Sequence, residues 1–223
     1  MAPLLIALML AQEPGCSAVA AAKARADVFD IRGALERLDA ALKSGCASAQ
    51  TQTTYLRGWI AARDAYRAGG SPESLTDVDA AVASLSAAGE KLAAYVLQAA
   101  AAAAQSERES LSLFIEQAVQ LEAVTLSAGL SAIPVVTAHE AAGDLWLQVH
   151  RYEDARGAYR RAAEHVGMTA RVRLGLARTA ARLNDVKDAC AQYRGLLTSF
   201  TENEVPPEII EAGVFVGDAR CRQ

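Results

Sequence analysis

Aromatic residues make up only 5% of this 223-residue chain, and proline occurs six times. Sheet proteins draw on aromatic and β-branched residues in alternating runs, and no segment here alternates in that way. With few prolines, the strongest helix breaker is mostly absent, while the abundant alanine loses no side-chain entropy in a helix. The composition therefore predicts helix throughout. The run Pro3 to Ala11 is too short to cross a bilayer, which needs roughly twenty apolar residues, so no membrane span is expected.

Signatures of catalysis are equally sparse. There is no GxSxG elbow, and no GxxxxGK[ST] or GxGxxG sequence follows a strand. Of the three histidines, His139 and His150 fall on one expected helix about 16 Å apart, too far for one metal. Neither they nor His165 form an HExxH or ExxH spacing. No two cysteines make a CxxC motif, and nothing marks two carboxylates as a catalytic pair. The chain is thus expected to be no enzyme and to carry no metal or cofactor. The net charge of -4 divides into -4 over residues 1–135, +3 over 136–201 and -3 over 202–223. A dedicated nucleic-acid binder would show a strong basic footprint, so no nucleic acid is expected as partner.

What is present is helix punctuation. Asp27 to Asp30 interrupts residues 17–44 and makes them a hairpin, ended by Gly45. A long helix to about Ala68 carries Tyr55, Trp59, Ala62 and Tyr66 on one stripe. Gly69-Gly70 stops it, and Ser71-Pro72 opens the next as N-cap and first-turn proline. After Gly89 comes the tract Ala99 to Ala104, read as a close-packing helix face because Leu92, Tyr95, Val96 and Leu97 flank it. Ser106 with Glu109 reads as a capping box for a helix ending at Gly129, and Thr137 with Glu140 as a second box. Turns at His150-Arg151, Gly167 and Asn184 separate three further helices, and Glu202 to Pro207 precedes a last one over Glu208 to Arg220. The count is five hairpins and a terminal helix.

Residues 1–12 read as a signal peptide, since Pro3 to Ala11 matches the hydrophobic centre of an export signal. Cys16, Cys46, Cys190 and Cys221 fit two disulfides in an oxidising compartment. A straight helix from Ser17 to Ser44 would hold its ends about 40 Å apart. A turn near Asp27 to Asp30 instead brings Cys16 to Cys46. Cys190 near one helix start and Cys221 near the end of the next meet in the same way. The competing reading is four buried thiols in a cytoplasmic protein.

One pattern recurs at an offset of 34 residues. Gly143, Trp146, Ala155, Tyr159 and Ala162 in one stretch become Ala177, Ala180, Ala189, Tyr193 and Leu196 in the next. This period and these residue types resemble the tetratricopeptide repeat, a stacked helical hairpin, although His139 and Arg173 stand where that family carries a large aromatic. The resemblance implies an all-α, right-handed stack of antiparallel hairpins with a C-terminal capping helix. Degenerate hairpins would fill residues 13–135, and two repeats with the cap residues 136–223.

It further implies a concave groove lined by first-helix side chains: Thr137, Glu140, Asp144, Leu147 and Gln148, then Arg171, Leu174, Arg178, Ala181 and Arg182. Arg171, Arg178 and Arg182 share one helix face and could clasp a partner's carboxylates, or instead pair with Glu140 and Asp144 or simply face solvent. The expected role is an exported scaffold, periplasmic or secreted and of bacterial type, that binds a protein or peptide. The rivals are a structural subunit of an envelope assembly and a carrier or enzyme with a pocket near Trp59 and Tyr95.

Overall fold

The computed structural model of the chain describes residues 17–128, 134–201 and 205–221. Among these, eleven α-helices and two short 3-10 turns occur, and no strand. The helices are α1 (Ser17–Asp27), α2 (Ile31–Lys43), α3 (Ser48–Arg67), α4 (Thr76–Ala87), α5 (Lys91–Ala104) and α6 (Arg108–Ser127), then α7 (Ala138–Gln148), α8 (Tyr152–Val166), α9 (Ala170–Arg182), α10 (Val186–Ser199) and α11 (Pro207–Gly217). Residues 1–12, Cys16, and with it the Cys16–Cys46 pairing, lie outside the described residues, as does Gly129.

Each helix packs on its neighbour in the chain within the pairs α1/α2, α3/α4, α5/α6, α7/α8 and α9/α10. Contacts also join α1 to α3, α3 to α5, α5 to α7 and α7 to α9, the leading members of successive pairs. One turn geometry recurs. Phe29, Gly89, Ser106, His150 and Asn184 have φ between 62° and 80°, and the amide after each donates to a carbonyl five residues back. His150 and Asn184 are separated by the same offset as the sequence pattern, so the matched carbonyls are those of Trp146 and Ala180. Ala155, Tyr159 and Ala162 are buried, as are Ala189, Tyr193 and Leu196.

The alanine tract is explained by position. Helix α5 is surrounded by α3, α4, α6 and α7, and Ala99, Ala100, Ala102, Ala103 and Ala104 are all buried. Methyl-sized side chains over this stretch let the neighbouring helices pack closely against α5. Gly58 serves the same closeness on α3, where an added Cβ would sit 2.9 Å from that of Ala81.

Local signals are upheld at some ends and corrected at others. Ser71 accepts from the Ser74 amide ahead of Pro72, and Thr137 with Glu140 forms the reciprocal box. Ser106, by contrast, is no cap. It occupies the left-handed turn position, Glu107 precedes α6, and no side-chain cap bond forms there. The turn's need for a positive φ, which serine meets only with strain, outweighs its capping preference. His150 likewise lies in the turn after α7, not on the helix with His139. The last helix ends at Gly217, followed by a 3-10 turn through Ala219–Cys221 that carries Cys221 to Cys190, with Cα atoms 5.6 Å apart in the disulfide.

Phe29, in the turn between α1 and α2, packs against the cluster of Leu174, Ala177 and Tyr193. That contact joins the turn between α1 and α2 to α9 and α10.

Candidate functional site

Helix α7 begins at an interior position and must satisfy its leading amides there. Thr137 and Glu140 do so locally: the Thr137 amide donates to Glu140 Oε2 at 3.1 Å and the Glu140 amide to Thr137 Oγ1 at 3.2 Å. Glu122 of α6 adds a second cap from a distance, accepting from the amides of Ala138 at 2.5 Å and His139 at 3.3 Å. It is fully buried, and burial pushes its carboxyl above the usual range despite those two amides. Thr137 and Glu140 are therefore inside the protein, each 1% exposed. Both fall away from the expected groove, because capping draws their side chains toward the helix start.

Further along α7, Asp144 is a hub. The Tyr159 hydroxyl donates to its Oδ1 at 2.5 Å, and Arg171 of α9 lies 3.8 Å from Oδ2. The Arg171 side chain is only 11% exposed. Burial opposes its charge, but Glu140, Asp144 and Asp27 around it hold the guanidinium protonated. This arginine thus pairs internally with Asp144.

Arg178, two turns on, reaches another helix altogether. It clasps Glu211 of α11 through Nε at 3.0 Å and Nη2 at 2.6 Å, while the Tyr193 hydroxyl donates to the same carboxylate at 2.6 Å. Burial would raise Glu211, yet the bonds from Arg178 and Tyr193 outweigh it and hold the carboxyl below its ordinary value.

Around this core run three adjoining hollows, and Arg178 lines all of them. One, about 290 Å³, lies between α3 and α7 and is walled by Trp59, Arg63, Tyr66, Asp144, Leu147 and Gln148. A wider one, about 860 Å³, continues past Ala181 and Arg182 to Ile210, Glu211 and Val214 of α11. A third, about 70 Å³, reaches Phe29, Arg63, Arg171 and Leu174. Tyr66 bridges two walls by donating to the Gln148 carbonyl at 3.2 Å.

The structure thus places Asp144, Gln148, Arg178 and Arg182 in the walls of adjoining hollows, Arg171 in the smallest of them, and Thr137 and Glu140 in none of the three. The contribution of α3 and α11 went unrecognised in the sequence. The stripe of Trp59, Ala62 and Tyr66 was its one visible sign, and those three residues do line the first hollow. Trp59 and Tyr95 do not converge as a pocket around both would need: Trp59 faces this hollow, whereas Tyr95 stacks on Phe114 at 6.3 Å.

His139 and His165 stack with ring centroids 4.9 Å apart. Burial first, then the neighbouring His165 and Arg161, pull the His139 imidazole down to about 4. A histidine that folds neutral contributes stability fully above its unfolded value of about 6.5 and loses it as pH falls through the folded value. Relative to a His139→Phe variant, the native protein should lose about 2 to 3 kcal/mol between pH 6.5 and 4. Urea midpoints for both proteins across that range check this, and their difference cancels the contributions of Glu122 and Asp27. Among the described residues, no group of three or more His, Cys, Asp or Glu is placed to hold a metal, and no helix is long and apolar enough to cross a membrane. No known protein family, curated protein or solved structure matches this chain.

Proposed function

We propose that this chain is an exported scaffold without a cofactor, built as a right-handed, tetratricopeptide-like stack with α11 as its cap. Its groove takes a protein or peptide partner that presents acidic and apolar side chains. One observation carries the reading. Of the large apolar side chains exposed among the described residues, Tyr66, Ile210 and Val214 all line the continuous hollow that also holds Arg178 and Arg182. Exposed apolar area beside cations is costly unless something covers it, and arginine with aromatic side chains is the composition that dominates binding energy at protein interfaces. The recurring turn and the contacts between leading helices support the stack. The Cys190–Cys221 disulfide supports export, because such bonds persist in oxidising compartments.

A photo-crosslinker at Val214 should capture a partner in the native envelope, and a peptide from the captured segment should bind the purified chain. Arg63→Glu with Arg182→Glu should weaken that peptide by at least about tenfold, since each reversal in a partly dry groove costs on the order of 1 kcal/mol. Unchanged binding by a variant with native circular dichroism would overturn the groove reading.

A second reading keeps one observation of its own. Leu113 and Val124 on α6 are 56% and 63% exposed, far from the groove in sequence and on a helix that does not line it. Crosslinks concentrated at Leu113 instead of Val214 would favour a structural module that uses this outer helix.

A further inference from the structure

The disulfide itself sits in an unusual electrostatic setting. Cys190 and Cys221 are nearly buried, 4% and 3% exposed, yet both line a hollow of about 380 Å³ whose charged walls are Lys187, Arg194 and Arg220. Among the described residues, no carboxylate lines it. Of the acidic residues close by in sequence, Asp185 accepts from the Asp188 amide and faces Arg156, and Asp188 accepts from Gln192; Asp218 is clasped by Arg220 and offsets that wall's charge, so Lys187 and Arg194 carry most of the hollow's positive charge. Arg194 donates to the Cys221 carbonyl, which fixes a guanidinium beside the sulfur-bearing residue.

We propose that Cys190–Cys221 is an exchange site for anionic, carboxylate-bearing thiols. Exchange begins when a thiolate attacks one of the two sulfurs. A new S–S bond forms between the attacker and one cysteine, the Cys190–Cys221 bond breaks, and its electron pair leaves on the other cysteine as a thiolate. A second thiol then attacks the mixed disulfide, so that two small thiols are oxidised to one small disulfide and the protein pair is reduced by two electrons. Lys187 and Arg194 act at both ends of the first step. They concentrate an anionic attacker in the hollow, and they stabilise the cysteine thiolate that departs. The reacting pair secures the end of the segment whose helix, α11, bears Ile210, Glu211 and Val214, so exchange bears directly on the groove wall. The exchange chemistry does not depend on what the groove binds.

The full-length oxidised protein is treated separately with glutathione, 2-mercaptoethanol and cysteamine at equal thiolate concentration. Loss of the bond is followed at Cys190 and Cys221 by differential alkylation and peptide mass, and each rate is divided by that on an uncharged reference disulfide. At about 20 mM salt the normalised rate should rank glutathione above mercaptoethanol above cysteamine, with about tenfold between the first and last. The ranking should collapse at about 0.5 M salt, where charges are screened within a few ångström, and in a Lys187→Glu variant of this exposed residue. Equal normalised rates for the anionic and cationic thiols would overturn the proposal, as would a native bond that none of the three reduces without denaturant.

Discussion

Replacing Tyr159 by alanine is expected to destabilise the protein by about 3 to 5 kcal/mol, the range for losing a packed aromatic ring. The ring is only 2% exposed and lies between two helices that approach closely because each has a glycine there. An added Cβ at Gly143 would come within 2.6 Å of Tyr159 Cδ1, and one at Gly175 would collide with the same ring. For a chain of this length each kcal/mol lowers the midpoint by roughly 2 to 4 °C, so a fall of roughly 6 to 20 °C is expected. Removing the hydroxyl alone, as Tyr159→Phe, should cost about 1 to 3 kcal/mol, because the bond it gives up is to the Asp144 carboxylate.

The wedge makes a sharper test possible. In the native background Gly143→Ala should destabilise by about 1 to 3 kcal/mol through overpacking. In the Tyr159→Ala background the clash is gone, and the same change should stabilise by up to about 1 kcal/mol from helix propensity. A double-mutant cycle on thermal midpoints reads this reversal of sign as a coupling energy. Additive effects would mean that the ring does not separate α7 from α9.

Glu122→Ala is expected to cost about 2 to 4 kcal/mol. It strands the amides of Ala138 and His139, both in buried residues, at about 1 to 3 kcal/mol each. Part of that loss is offset, since a buried carboxylate no longer has to be desolvated. Glu122→Gln keeps one side-chain carbonyl as acceptor and should lose about half as much. Urea unfolding followed by circular dichroism distinguishes the two. An alanine variant as stable as the glutamine one would show that the caps within α7 suffice. The consequence reaches the site, because α7 presents Asp144, Leu147 and Gln148 to the groove.

Helix ends were legible wherever one residue type meets one backbone need. Thr137 with Glu140, Ser71 with Pro72, and glycine at Gly89 and Gly167 are such cases, since capping and positive φ are decided within a few residues. Ser106 misled because two local preferences competed for it, and the turn prevailed. The interval between Tyr159 and Tyr193, both buried, was equally plain, as was the meeting of Cys190 with Cys221, because an antiparallel helix pair converts chain separation into proximity.

The site was only half visible. Arg178 and Arg182 could be assigned to a face from helix period alone, but not their partners. That Arg178 meets Glu211, that Glu122 caps a helix sixteen residues away, and that Arg63 and Arg171 line one hollow all depend on the angles at which helices distant in the chain pack. Helical periodicity states which side chains are inside; it carries no information on which helix will face them. The sequence by itself determined the all-helical content, the positions of the turns and the residues that pack within each hairpin, because these depend on interactions over a few turns of chain. Only the tertiary structure decided that the α1–α2 turn meets α9 and α10, that Thr137 and Glu140 are hidden and that α3 and α11 wall the hollows around Arg178. Those outcomes follow from the summed packing of many small contacts between distant segments, none of which leaves a local mark.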